Sequence, residues 1–424
     1  MVKAGRMSKI RNIGYACKTI GVRDTAMRAC RLGASPEQLL EVALHNIAVL
    51  GRMIEYTARS EIGLLRISSD VIPLASHPEV CFNWSKLCAA PLAAVGELIR
   101  NAGIRVSMHP GQYTVLNSPD EGVALRAAAD LVYHAEFLDS LGADSQAKIV
   151  LHVGGVYGDR QAALQRFAGR FAELPPQTAG RIILENDEKC FAVHEVYALS
   201  RDLGVPVVMD VFHHTLLPPP AGSALDWLAR CGETWRPEDG RQKIHYSEQL
   251  SGGKPGMHSR TIDAARFLNF YAALPQPAPD IMLEVKDKNL SAVKCLHCVN
   301  QAPRSALGAA WAKYKYAVLE RSPRHYQLIR EYLKAERPDP AGFYALIDAG
   351  LEEAGSPGTR VVAAEHVWGY FKGRVSAAEK KHFAAGLKRL AEGGGAVPIK
   401  RLLFNLAEQC DEQYLLDSLY FYLE

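Results

Sequence analysis

The chain has 424 residues, 48% of them hydrophobic and 22% charged, with a formal net charge of +3. This balance excludes a disordered or fibrous protein, and so small a charge does not by itself announce a nucleic-acid binder. No run approaches the roughly 20 apolar residues of a membrane span, and the opening MVKAGRMSKIRNIG has no apolar signal core, so a cytoplasmic protein without membrane contact is expected.

Short apolar, β-branched runs at residues 11–17, 64–71, 105–109, 148–153, 181–185, 206–212, 243–246 and 281–285 predict eight strands. Between them, stretches such as 36–60, 88–102, 124–141 and 192–203 carry apolar residues at helical spacing. Strand–helix alternation at this length implies a parallel sheet, and eight repeats fit a closed (β/α)8 TIM barrel. An open doubly wound sheet would carry a glycine-rich phosphate turn after its first strand, and GYACKTIGV has none. Beyond about residue 300 the strand signals stop. Long amphipathic stretches at 309–335, 340–354, 360–373, 377–391 and 398–406 predict a small all-α domain, joined near NQAPRSALG. The expected domains are therefore a barrel over 1–300 and a helical accessory domain over 305–424. Nine cysteines form no paired framework, and Cys295 and Cys298 form one C-x-x-C without a partner pair, so reduced thiols are expected.

In a TIM barrel the chemistry sits at the carboxyl ends of the strands. There the sequence places His109, His152, Glu185-Asn186-Asp187, Asp210 with His213, Lys243 and His245, and Glu284, with His77 and His258 in the loops after the second and seventh strands. A single histidine on an apolar strand is more often a satisfied core residue than a ligand. The set is different: six of fourteen histidines, with three carboxylates, converge on one rim, where burying so many ionisable groups is costly unless cations compensate them. Imidazole with carboxylate suits zinc, manganese or iron better than calcium or magnesium. His213 and His214 point to opposite faces if extended, which leaves one of them for the site. Lys243 shares a strand face with His245, so it points away, binds a phosphate, or has lost its charge by a modification such as carboxylation.

The motifs GYAC, RISSDVIPLASHP, HPGQYTVLNSP, LHVGG, ILEND, MDVFHH, KIHYSEQ, MHS and LEVKDKN, in this order, resemble the ultraviolet damage endonucleases, TIM-barrel relatives of the metal-dependent abasic-site endonucleases. The resemblance spans roughly residues 11–290. It implies a cluster of up to three divalent ions, commonly manganese with zinc or magnesium as alternatives, at His77, His109, His152, Glu185, Asp210, His213, His245, His258 and Glu284. Lys243 matches a lysine that can be carboxylated, and Glu185, Glu284 and Lys243 are the candidate catalytic residues. Gln112 and Tyr113 match the family's lesion-probing pair. Tyr15 matches a tyrosine on the first loop that lies against the damage, and Thr19 stands where relatives carry an asparagine. Flat side chains of this kind fill the gap left when damaged nucleotides leave the stack of a bent duplex. Arg260 and Lys286 are candidates to hold backbone phosphates. The implied activity is incision of UV-damaged double-stranded DNA immediately 5′ to cyclobutane dimers, (6–4) photoproducts and abasic sites, leaving a 3′-hydroxyl.

The C-terminal stretches WAKYKYAVLERSPRHYQLIREYL, GYFKGRVSAAEKKHF and YLLDSLYFYL resemble a helical domain of uncharacterised function. Two alternatives stand beside the nuclease. A xylose-isomerase-like sugar isomerase or epimerase shares the barrel and its strand-end histidines, and a non-catalytic protein could bind distorted DNA around structural metals.

Overall fold

A computed structural model describes residues 9–423. Its first unit is built on eight parallel strands: β1 (Ile13–Ala16), β2 (Leu64–Ile67), β3 (Arg105–Met108), β4 (Lys148–His152), β5 (Ile182–Glu185), β6 (Val207–Asp210), β7 (Lys243–Tyr246) and β8 (Asp280–Leu283). They pair in sequence order, and β1 closes on β8, giving the expected barrel. The strands read as short apolar runs because helices cover the outside while side chains fill the inside. At β1 the packing is tight enough to require glycine: a Cβ on Gly14 would lie 2.3 Å from the Leu64 carbonyl oxygen. Register then aligns the rim. His152 is the lateral partner of Glu185, and Asp210 of His245.

The connecting helices start where short polar caps precede apolar periodicity. Ser35 and Gln38 form a reciprocal capping box before the helix Pro36–Arg59. Asp120 accepts the Val123 N–H at 2.8 Å to open the helix Glu121–Ser140. The other end of the barrel is closed by ion pairs, chiefly Lys148–Asp239 and Arg105–Asp280.

The second compact unit comprises residues 20–23, 263–269 and 294 onward. It is helical, with a core in which Trp368 stacks on Phe383 at 4.1 Å and Leu403, Leu406 and Tyr420 are buried. The stretch expected as continuous over 309–335 is two helices, Arg304–Arg321 and Pro323–Tyr332. Proline has no N–H and forces the residue before it out of the helical region, so Ser322 turns to φ −143° and its hydroxyl caps the second helix. Cys298 is a buried free thiol, as Cys88 and Cys231 are, and Cys295 is buried as well. No helix among the described residues is long and apolar enough to cross a membrane.

Candidate metal centre

Six strand ends deliver one layer of ligand-type side chains. Glu185, 1% exposed, lies at its centre. Its Oε2 is 2.9 Å from His109 Nε2 and 3.4 Å from His152 Nε2, and its Oε1 is 2.6 Å from His245 Nδ1. Glu284, just past β8, continues the ladder through its N–H to the Tyr246 carbonyl and brings Oε1 to 3.1 Å from His245 Nδ1. Asp210 ends β6 and caps the helix Val211–Leu216, its Oδ1 accepting the His213 N–H at 2.8 Å. One helical turn therefore presents the His213 ring to the rim, with Nδ1 4.0 Å from Glu185 and 3.8 Å from Asp210. This corrects the extended reading of His213 and His214: they lie on a helix, both are buried, and His214 stands outside the cluster. Asn186 ties the ends of β5 and β6, exchanging hydrogen bonds with the Asp210 backbone at 2.9 and 3.1 Å.

Electrostatics shows what so dense a layer demands. Burial pushes the Glu185 carboxyl up, but His245, His152 and His109 outweigh it and hold the group well below the usual carboxylate range. Glu284 is likewise held down, burial being outweighed by Arg66 and His245. Asp210 is raised, chiefly by burial, and burial lowers His152. Burial also disfavours the charged form of His213, yet Asp210 and Glu185 raise it to about 9. Even so, Asp210 Oδ2, His152 Nδ1 and His245 Nε2 are buried without a hydrogen-bond partner among the described residues. Lone pairs left so are expensive, and cations would satisfy them. Two triads have ligand atoms within 4.8 Å of one another, His109–His152–Glu185 and Glu185–Asp210–His245. They share Glu185, whose two oxygens can serve neighbouring ions, and the imidazole–carboxylate donor set fits first-row divalent metals.

The remaining expected residues divide. His258 sits beside the layer, its Nδ1 on the Glu284 carbonyl and its ring 6.3 Å from that of His213. His77 joins neither triad; its Nδ1 accepts the Glu79 N–H at 3.3 Å, and with Tyr113 it lines a cavity of about 600 Å3. Lys243 is on the same strand face as His245 but at the foot of β7. It is fully buried, and its Nζ has no partner among the described residues. Burial, then Arg105, lowers its amine well below the ordinary lysine value.

Gln112 and Tyr113 project from the loop after β3, Tyr113 66% exposed. The Tyr113 ring lies over Gly111, where a Cβ would come within 2.4 Å of it, so only glycine allows this pose. Arg260 and Lys286 are exposed on adjoining segments joined by the Lys286 N–H to Ser259 and the Asp287 N–H to Arg260.

Tyr15 and Thr19 require correction. Tyr15 belongs to β1, not to a loop, and is 0% exposed, its hydroxyl 2.9 Å from both Thr19 Oγ1 and Thr57 Oγ1. Thr19 is short enough to turn inward and satisfy that phenol, so the pair forms a buried joint without a face for DNA. One rim residue went unread: Arg66, which pairs with Glu284. Its signal is a lone cation inside the apolar strand Leu64-Leu65-Arg66-Ile67.

A closed parallel barrel that gathers imidazoles and carboxylates at the carboxyl ends of its strands has the architecture of the TIM-barrel enzymes, with a donor set that could hold metal ions. Residues 10–303 match the family model described as UV-endonuclease UvdE, and the chain belongs to that family. It is 37% identical over 342 residues to the UV DNA damage endonuclease of Clostridium perfringens, covering 79% of this chain and 82% of that protein. To the UV DNA damage endonuclease of Bacillus velezensis it is 33% identical over 255 residues, 60% of this chain and 80% of that one. The crystal structure of SacUVDE superposes with a TM-score of 0.65 at 38% identity, covering 68% of this chain and 98% of that chain. Residues 315–423 match a family described as protein of unknown function, DUF1722. Membership favours the nuclease over the sugar isomerase that shares its architecture.

Proposed function

We propose that the protein incises UV-damaged double-stranded DNA immediately 5′ to cyclobutane dimers, (6–4) photoproducts and abasic sites, leaving a 3′-hydroxyl, at a cluster of up to three divalent ions, with manganese the first candidate and zinc or magnesium the alternatives. The observation that carries this reading is the pair of triads sharing Glu185, with buried lone pairs on Asp210, His152 and His245 still unmatched. His109, His152, Glu185, Asp210, His213, His245 and Glu284 would hold the ions, with His77 and His258 completing the set from their loops. Cations held there would lower the pKa of a bound water and offset negative charge developing at the phosphodiester.

The chain's own residues do the rest. Arg66 holds Glu284 ionised and oriented toward the layer. Asn186 keeps Asp210 and the His213 turn in place. Burial pushes Lys243 toward its neutral form, which weakens a competing positive charge, and a neutral amine is the form that carbon dioxide carboxylates. Tyr113 and Gln112 fill the gap beside the extruded bases, which selects for distortion rather than sequence. Arg260 and Lys286 fix the strand by its phosphates.

The test incubates the protein and Mn2+ with a duplex carrying one cyclobutane dimer and maps nicks at nucleotide resolution. A single cut just upstream of the lesion is expected, with none in the undamaged duplex and none after chelation. Equal cutting of both duplexes overturns the assignment.

A further inference from the structure

The loop that carries Tyr113 and the loop that carries His77 meet on one buried carboxylate. Asp130 lies on the helix Glu121–Ser140, on a face that also buries Ala127, Leu131, His134 and Phe137. Apolar packing does not select an acid there, and a carboxylate 3% exposed must be matched by donors. Two hydroxyls from different loops match it. Ser76 donates to Oδ1 at 2.8 Å and Thr114 to Oδ2 at 2.6 Å. Ser76 immediately precedes His77, and Thr114 immediately follows Tyr113. One turn on, His134 is 0% exposed and spans the Asp130 carbonyl, 2.6 Å from Nδ1, and the Ser69 hydroxyl, 2.9 Å from Nε2. Ser69 passes the chain of contacts to the carbonyl of His109 at 3.0 Å, and the Tyr133 hydroxyl donates to the Ser69 carbonyl at 2.9 Å. A long helix thus grips both loops and the first residue of the metal layer through short bonds, two of them charge-assisted.

We infer that Asp130 is a positioning residue for incision, whose carboxylate fixes the Gln112-Tyr113 loop at a set distance from the His109 edge of the metal layer. The inference rests on the reading of Gln112 and Tyr113 as the lesion-probing pair. Each carboxylate oxygen serves one loop, so the group acts as a spacer, and its removal frees both loops while leaving the two triads around Glu185 in place. A misplacement of about 1 Å in a positioning element is enough to lower specificity.

The experiment measures kcat and KM for full-length protein with Mn2+ on a dimer-containing duplex and on its undamaged twin, with metal content and thermal unfolding followed in parallel. Asp130→Ala should lower the ratio of the two kcat/KM values about tenfold, roughly the weight of one hydrogen bond to a carboxylate. The loss should lie mainly in KM for the damaged duplex, with the metal held by the two triads around Glu185 retained. Asp130→Asn keeps one acceptor oxygen and can donate its amide to the second hydroxyl, so it should restore most of the ratio. Tyr113→Ala should lose the discrimination, and Asp130→Ala should add nothing to it in the double variant. A fall in kcat alone with the ratio intact, or single effects that multiply in the double variant, overturns the positioning role. If Tyr113→Ala leaves discrimination untouched, the lesion-probing reading itself falls and takes this inference with it. Should Asp130→Ala unfold, Thr114→Ala removes one hydroxyl with less disturbance; discrimination unchanged in that variant overturns the role equally.

Discussion

The two ends of the barrel bury charge in opposite ways. At the amino-terminal end Lys148 donates to Asp239 at 2.5 Å and to the Gly180 carbonyl at 2.9 Å, and Asp239 also accepts from the backbone and guanidinium of Arg236. Arg105 spends its donors on Asp280 and on the carbonyls of Asp239 and Gln146. At the carboxyl-terminal end, three donor or acceptor atoms of Asp210, His152 and His245 are equally buried and have nothing to bind among the described residues. Both layers are ionic and both are largely buried, so burial of charge does not mark a functional site. What separates them, Lys243 at the foot of β7 apart, is completeness. A closed network ties strands together, whereas an open one exerts its full desolvation cost until a ligand arrives.

The largest expected effect breaks the open layer. Glu185→Gln removes the oxygen pair shared by both triads, and incision at a dimer should fall about a thousandfold, the scale lost when stabilisation of transition-state charge is removed. The variant should also lose the thermal protection that metal confers on the wild type. Binding to the folded state alone contributes about 2.7 kcal/mol at a hundredfold excess over Kd. A variant that still gains stability from Mn2+ and still nicks would place the ions elsewhere.

Breaking the closed layer should move stability and leave chemistry alone. Lys148→Met leaves Asp239 buried with one cation fewer, and truncating one side of a buried pair costs about 3–5 kcal/mol. The expected result is a lower unfolding midpoint in denaturant, with kcat per folded molecule and bound metal unchanged. The double variant Lys148→Met, Asp239→Asn should recover part of the loss. Lost metal in the single variant would show that the two ends are not independent.

This contrast also explains what could be read from the chain alone. The eight strands were legible because each is a short apolar run, and most of the rim's imidazoles and carboxylates because a polar residue ending such a run stands out. The helix that carries His213 and His214 stayed hidden because their apolar neighbours masked the cap that Asp210 provides. The resemblance alone put Tyr15 against the lesion, because only the fold supplies Thr57, from the helix Pro36–Arg59, to take its hydroxyl inside. Arg66 and Asp130 were invisible for a related reason. A single charged residue in an apolar pattern says that a partner exists, but Glu284 and the hydroxyls of Ser76 and Thr114 lie tens to hundreds of residues away. The Ser322–Pro323 break was the exception, written in the chain by a proline inside a helical pattern.

The smallest effect concerns charge in neither layer. Arg260 and Lys286 are exposed cations, and an exposed cation that contacts a phosphate acts mainly by releasing counterions from DNA. Neutralising one such contact should reduce the slope of log affinity against log salt by about 0.9 for a duplex. Arg260→Gln and Lys286→Gln should each weaken damaged and undamaged duplex alike, by a few-fold at moderate salt, and leave their ratio unchanged, because a phosphate contact carries no information about the lesion. Titrations of labelled duplex at three or four salt concentrations resolve the slope even where the affinity change is slight. A slope equal to that of the wild type would return both side chains to the solvated surface, whereas a change in the lesion ratio would move them into the probing apparatus beside Tyr113.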